Sequence, residues 1–132
     1  MCGCLKMLST MWCFSSSFGY LSIVLARQGP EDPTPDPDHL NIRARSRRHL
    51  ELLQRACPTL AAFPITESPS GRDYAFRLVP VPKALFANAL RDLVMALNYV
   101  NHKSACSANP DLDDSFQHVL HEVWSATQRF QR

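Results

Sequence analysis

The sequence predicts an α+β domain in which helices cover a four-stranded antiparallel sheet. Three observations carry this. Apolar and polar residues alternate through Leu40-Asn41-Ile42-Arg43-Ala44-Arg45 and through Asp73-Tyr74-Ala75-Phe76-Arg77-Leu78-Val79, the period of a half-buried strand. Apolar residues recur at helical spacing after Ser46, after Pro82 and after Asp111. Prolines, glycines and serines punctuate the boundaries between these runs. The chain has 132 residues and a formal net charge of +2, which suits one domain with a sizeable core and excludes a polycation.

The N-terminus lacks charge from Met7 to Ala26, between Lys6 and Arg27. Five serines, a threonine and a glycine dilute that stretch, and no small-residue cleavage site follows a continuous apolar centre. No membrane segment is therefore expected. Residues 1–17 read as a tail, disordered or an upstream extension with Met11 a second candidate start. Residues 18–132 read as the single domain.

Tyr20 to Ala26 is rich in strand formers and gives the first strand. The segment Gly29 to Asp38 holds four prolines and four acidic residues in ten positions, which predicts an acidic, Pro-rich loop over residues 28–38. His39 to Arg45 is the second strand. Ser46 is placed to cap a helix that begins at Arg47, carries the apolar stripe Leu50, Leu53 and Ala56 with Leu52, and stops at Cys57-Pro58. A third strand falls around Phe63-Pro64-Ile65-Thr66, confined to a sheet edge by Pro64. After the turn Ser68-Pro69-Ser70-Gly71, Tyr74 to Val79 is the fourth strand, closed by Pro80 and Pro82.

The second helix runs from about Lys83 to Leu97 on the stripe Leu85, Phe86, Ala89, Leu90, Leu93, Val94 and Leu97. Asn98 to Lys103 is a polar loop. The last helix starts near Asp111 and presents Leu112, Phe116, Val119, Leu120, Val123, Thr127 and Phe130 on one face. The order β-β-α-β-β-α-α matches a ferredoxin-like sandwich whose last strand has been permuted to the front.

Strand alternation places Leu40, Ile42 and Ala44 toward the core and Arg43, Arg45 and Arg47 on the reverse face, joined there by Arg77. It assigns Tyr74 to the core face. Arginine presents a planar fork of donors that fits phosphate or carboxylate. The candidate anion site is therefore Arg43, Arg45, Arg77 and Lys103, with Tyr99 and Asn101 as neutral partners and Tyr74 as a third whose strand position turns it to the core side. The competing reading neutralises these arginines internally, against Asp73, Asp92, Asp113, Asp114 or Glu122. Arg47, Arg48 and His49 form a second candidate, because basic residues in a first helical turn join free backbone N–H groups there.

Other chemistry finds little support. The five cysteines form no C-x-x-C pair and suit reduced thiols in a cytoplasmic protein. His118 and His121 share a helix side but lack the H-E-x-x-H order and read as surface residues, so no metal or other cofactor is expected. No nucleophile elbow, P-loop or dinucleotide fingerprint occurs. An RNA-recognition sheet would stack bases on paired aromatics, and the second and fourth strands offer arginines instead.

One resemblance emerges from the motifs taken in order. They are Met11-Trp12, Phe18-Gly19-Tyr20, Ile42-Arg43-Ala44-Arg45, Asp73-Tyr74-Ala75-Phe76-Arg77, Tyr99-Val100-Asn101-His102-Lys103 and Val123-Trp124. From Met11 onward the chain resembles a family of small bacterial proteins that carry no assigned function. It departs from them in having His49 and Asn98 where acidic residues are usual, His102 for an aromatic, and a longer Pro-Asp loop. The resemblance implies a cytoplasmic domain with a strand at residues 20–25, and no ligand. The functional expectation is a non-catalytic module binding nucleic acid or a phosphorylated small molecule. The alternatives are a structural or regulatory module that docks a protein or a second copy as a homodimer, and a small hydrolase using Asn101, His102 and Lys103.

Overall fold

A computed structural model describes residues 11–69 and 73–131. Part of the Ser68–Gly71 turn and the first ten residues lie outside that range. The chain is α+β, with a five-stranded antiparallel sheet rather than a four-stranded one, in the order β1-β2-β3-β5-β4. The strands are β1 (Met11–Ser15), β2 (Gly19–Gly29), β3 (Asp32–Ala44), β4 (Thr66–Glu67) and β5 (Phe76–Pro82). The helices are α1 (Arg47–Ala56), α2 (Lys83–Met95), α3 (His102–Ala108) and α4 (Asp114–Thr127), with short 3-10 turns at Pro58–Leu60 and Gln128–Gln131.

The extra strand comes from residues assigned above to a tail. Trp12 and Phe14 alternate with Met11 and Cys13, the serine run after them makes the turn, and β1 folds back on β2 with Phe14 opposite Tyr20 and Trp12 opposite Ser22. A second difference lies in the acidic segment. It is no loop: β2 continues to Gly29, Pro30-Glu31 makes a two-residue turn, and β3 begins at Asp32. The pairing there is irregular, with register shifts on both sides of the Arg27–Pro35 pair. Asp32 and Asp36 accept the N–H groups of Thr34 and Asp38, which supplies in side chains what a regular ladder would give. Among the described residues, β1 pairs with β2 as far as Ile23 and β5 with β3 as far as His39, and beyond these points the hairpin is a two-stranded arm.

The expected edge strand near Pro64 is reduced to Thr66–Glu67, and Pro80 and Pro82 lie inside β5 rather than beyond it. The first helix spans the expected residues, but Ser46 at its N-cap makes no side-chain hydrogen bond, Ala56 is exposed, and Arg47 opens the helix rather than extending the arginine face of β3; the second ends at Met95 rather than Leu97. The polar loop is shorter than expected, because Asn101 accepts the Ser104 N–H at 2.9 Å and starts α3. Asp113 caps α4 in the same way, accepting the Phe116 N–H at 3.0 Å, so α4 starts later than Asp111.

One core fills the space between sheet and helices. Leu21, Ile23, Ile42, Ala44, Leu78 and Val81 supply the sheet side, and Leu50, Leu53, Phe86, Phe116 and Leu120 the helical side. The alternation at β3 therefore holds: Leu40, Ile42 and Ala44 are buried while Arg43 is half-buried and Arg45 exposed. The stripes of α2 and α4 are only partly buried. Val94, Leu97, Val119 and Phe130, placed on core faces by their spacing, are 61%, 57%, 43% and 85% exposed. Among the described residues, no helix is long and apolar enough to cross a membrane.

Candidate anion-binding face

The register lines up one row of side chains across the sheet. Trp12 pairs with Ser22, Ser22 with Arg43, and Arg43 with Arg77. Directly paired residues of an antiparallel sheet project from the same face. This row therefore stands on the side opposite Ile23 and Ile42. Tyr20 and Phe14 stand on that same side, two positions along.

Tyr74 completes the arrangement, and from an unexpected direction. It precedes β5 rather than lying in it, so strand alternation does not govern it. Its ring lies against the arginines instead of on the core face. The Arg43 guanidinium carbon is 4.6 Å from the ring centroid and that of Arg45 is 4.4 Å. Such cation–π contacts are worth about 0.5–2 kcal/mol each, more as water is excluded. The ring is 5% exposed, and its hydroxyl meets that of Tyr20 at 2.8 Å. Tyr20 in turn stacks on Phe14, with centroids 4.6 Å apart, and meets Trp12 edge-on at 6.2 Å.

The two phenols are driven apart in acidity. Burial pushes Tyr20 up, and its bond to Tyr74 pushes it further, past the ordinary tyrosine range. Burial also acts to raise Tyr74, but its bonds to Tyr20 and Ser22 and the charges of Arg45 and Arg43 outweigh it, and the net direction is down. The downward direction at Tyr74 has a physical source in the geometry: the guanidinium groups of Arg43 and Arg45 lie against its ring, and positive charge beside a phenol favours its ionised form.

Arg43 and Arg45 are held but incompletely neutralised. Arg43 donates from Nη2 to the fully buried Ser22 Oγ at 2.8 Å, while its Nε is buried with no hydrogen-bond partner among the described residues. Arg45 donates to the Asp73 carbonyl oxygen and reaches its carboxylate at 3.5 Å. That carboxylate is 82% exposed, and a pair of this kind contributes about 0–1 kcal/mol. Arg77 donates from Nε to the Tyr74 carbonyl oxygen at 3.4 Å, which ties β5 to the same cluster.

The remaining expected partners make their contacts elsewhere. Lys103 Nζ sits 5.0 Å from the Trp124 ring centroid, Asn101 caps α3, and the Tyr99 hydroxyl accepts from Ser16 at 3.1 Å. His102 lies against Cys106, with Nε2 3.6 Å from Sγ. Asn101, His102 and Lys103 therefore serve three separate contacts and do not converge on one cleft, as the hydrolase reading requires.

The second candidate is also engaged internally. Arg47 pairs with Glu51 at 3.6 Å, and Arg48 pairs with Asp111 at 2.5 Å, where Arg55 joins it. His49 points inward: Nδ1 accepts the Tyr20 N–H at 3.2 Å and the ring meets Phe116 at 5.5 Å. Burial holds this imidazole below its ordinary pKa, against a weaker upward pull from Asp113. Gly19 makes room for it. Its φ is +95°, and a Cβ there would lie 2.6–2.8 Å from three His49 ring atoms. The Phe18-Gly19-Tyr20 motif is thereby a seat for His49.

Reasoning from sequence missed Trp12 and Phe14 as members of this face, and it turned Tyr74, named beside the arginines, toward the core. The first two had a signal: aromatics at i and i+2, a serine run, then Gly19 and a strand spell a hairpin. Among the described residues, no group of three or more His, Cys, Asp or Glu side chains is placed to hold a metal ion. Comparison with protein-family models, with curated proteins and with solved structures found no match to this chain.

Proposed function

We propose that this protein is a non-catalytic module that binds an anionic partner through Arg43 and Arg45. The observation that carries the reading is the gathering of both guanidinium groups on one ring. No more than about 9 Å separates the two cations, given their distances to the ring centroid. That is comparable to the screening length of roughly 8–10 Å, so their repulsion persists in solution. Tyr74 and Ser22 hold them in place, and the carboxylate nearest Arg45 is exposed and easily exchanged. A phosphate entering here relieves that repulsion and meets donors already oriented. The strand order β2-β3-β5-β4 supports a permuted ferredoxin-like plan, in which β1 is an added edge strand.

The test is titration with inorganic polyphosphate at low and at physiological salt. Binding should fall steeply with salt, and Arg43→Gln or Arg45→Gln should weaken it and flatten the salt slope. Absence of binding at low salt removes the reading. A second reading, docking of a protein or a second copy, rests on Met95, Leu97, Val100 and Phe130, which are 75%, 57%, 106% and 85% exposed. Sedimentation across a concentration series tests it.

A further inference from the structure

We infer that the anionic partner is a single-stranded nucleic acid whose base stacks on Trp12; this rests on the anion-binding reading and adds the chemistry of the ligand to it. The indole is 65% exposed, although it stands on the same face as the arginines and is braced edge-on by Tyr20 at 6.2 Å. An exposed tryptophan on an edge strand costs solubility unless something covers it. What covers it must also satisfy its surroundings. Trp12 and Arg43 stand in one row, separated by Ser22 on the strand between them. Two strand spacings amount to roughly 9–10 Å. A base laid on the indole therefore brings the adjoining sugar-phosphate over Arg43 and Arg45.

The pairing of an aromatic plate with a nearby cationic track is the chemistry of single-strand recognition. Every base has a π-face to stack, and the backbone charge finds guanidinium donors. A duplex keeps its base faces internally stacked and offers the indole nothing. A phosphorylated small molecule without a ring system leaves Trp12 exposed. Stiffness favours the proposal as well. Phe14 backs Tyr20, Tyr20 backs Trp12, and the Tyr20–Tyr74 hydrogen bond links this aromatic stack to the arginine pair, so little order is lost on binding.

The experiment uses the full chain carrying Trp124→Phe, which leaves Trp12 as the only indole of the two in the sequence. It is titrated at low salt with a single-stranded oligothymidylate, with an abasic deoxyribose-phosphate chain of equal length, and with inorganic polyphosphate, following indole fluorescence and polarisation of a labelled strand. The proposal expects the oligothymidylate to quench Trp12 and to bind about five- to a hundred-fold tighter than the abasic chain. It expects Trp12→Ala to erase that advantage while leaving the salt slope intact. Trp12→Phe should recover part of it, and unchanged thermal melting of both variants shows that the fold is preserved. Equal affinity for the three polyanions, with no effect of Trp12→Ala, overturns the stacking and leaves the anion site standing. Failure of all three to bind overturns both.

Discussion

Replacing Gly19 by alanine tests whether the position serves the backbone, the histidine or both. Two costs follow from the structure. At φ +95° an L-residue is outside its ordinary range, which costs about 1–2 kcal/mol. The new methyl would also lie 2.6 Å from Cδ2 and Nε2 of His49. Real carbon contacts stop well short of that, so the ring must swing away. Overpacking of this kind costs about 1–3 kcal/mol, and loss of the bond between the Tyr20 N–H and Nδ1 adds about 1 kcal/mol. The expected total is about 3–6 kcal/mol, a large part of the roughly 5–15 kcal/mol that holds a domain of this size folded. Urea unfolding of Gly19→Ala, His49→Ala and the double variant separates the terms. With the imidazole gone, the Gly19→Ala step should shrink to the backbone cost of about 1–2 kcal/mol. An equal cost in both backgrounds, or a Gly19→Ala variant within about 0.5 kcal/mol of wild type, refutes the reasoning.

Four further outcomes are expected. Stability should depend on His49 protonation: its folded pKa is depressed, so the unfolded state takes up the proton first, and stability present above the ordinary imidazole pKa is lost as pH falls from there toward the folded value. Unfolding free energies measured on both sides of that window should show the loss in wild type and less of it in His49→Gln. Arg45→Gln should raise the low tyrosine titration belonging to Tyr74, read by alkaline ultraviolet absorbance, and an unchanged curve contradicts the assigned charge contact. Phe86→Ala should cost about 3–5 kcal/mol in denaturant unfolding, since the ring is 1% exposed and held between sheet and helices. Asn101→Ala should remove the α3 cap at about 1 kcal/mol, seen as faster amide exchange confined to the first turn of α3.

What the sequence made legible was whatever rests on period. The Leu40–Ala44 alternation survives because burial of one sheet face enforces it, and Leu50 and Leu53 of α1 follow from helical spacing, whereas Ala56 in the last turn of the same stripe is exposed. Composition misled where local chemistry replaced the ladder. Prolines and carboxylates in residues 30–38 read as a loop, yet Asp32 and Asp36 satisfy the neighbouring N–H groups and let the chain stay extended. Tyr74 escaped because it stands just outside a strand, where alternation stops. The alignment of Trp12 with Arg43 depends on the pairing of three strands, a long-range fact that no short window holds. Conversely, the basic turn at Arg47–His49 was visible, but its partner Asp111 lies more than fifty residues further on.

The two-stranded arm has a consequence for how copies of this chain behave in a crowd. Pro33, Pro35 and Pro37 occupy every second place along its second strand, and a proline nitrogen has no hydrogen to give to any neighbour. Glu31, Asp32, Asp36 and Asp38 add like charge to the same strip. A strand that would otherwise template edge-to-edge growth of fibrils is by this means made a poor recruiter of further strands.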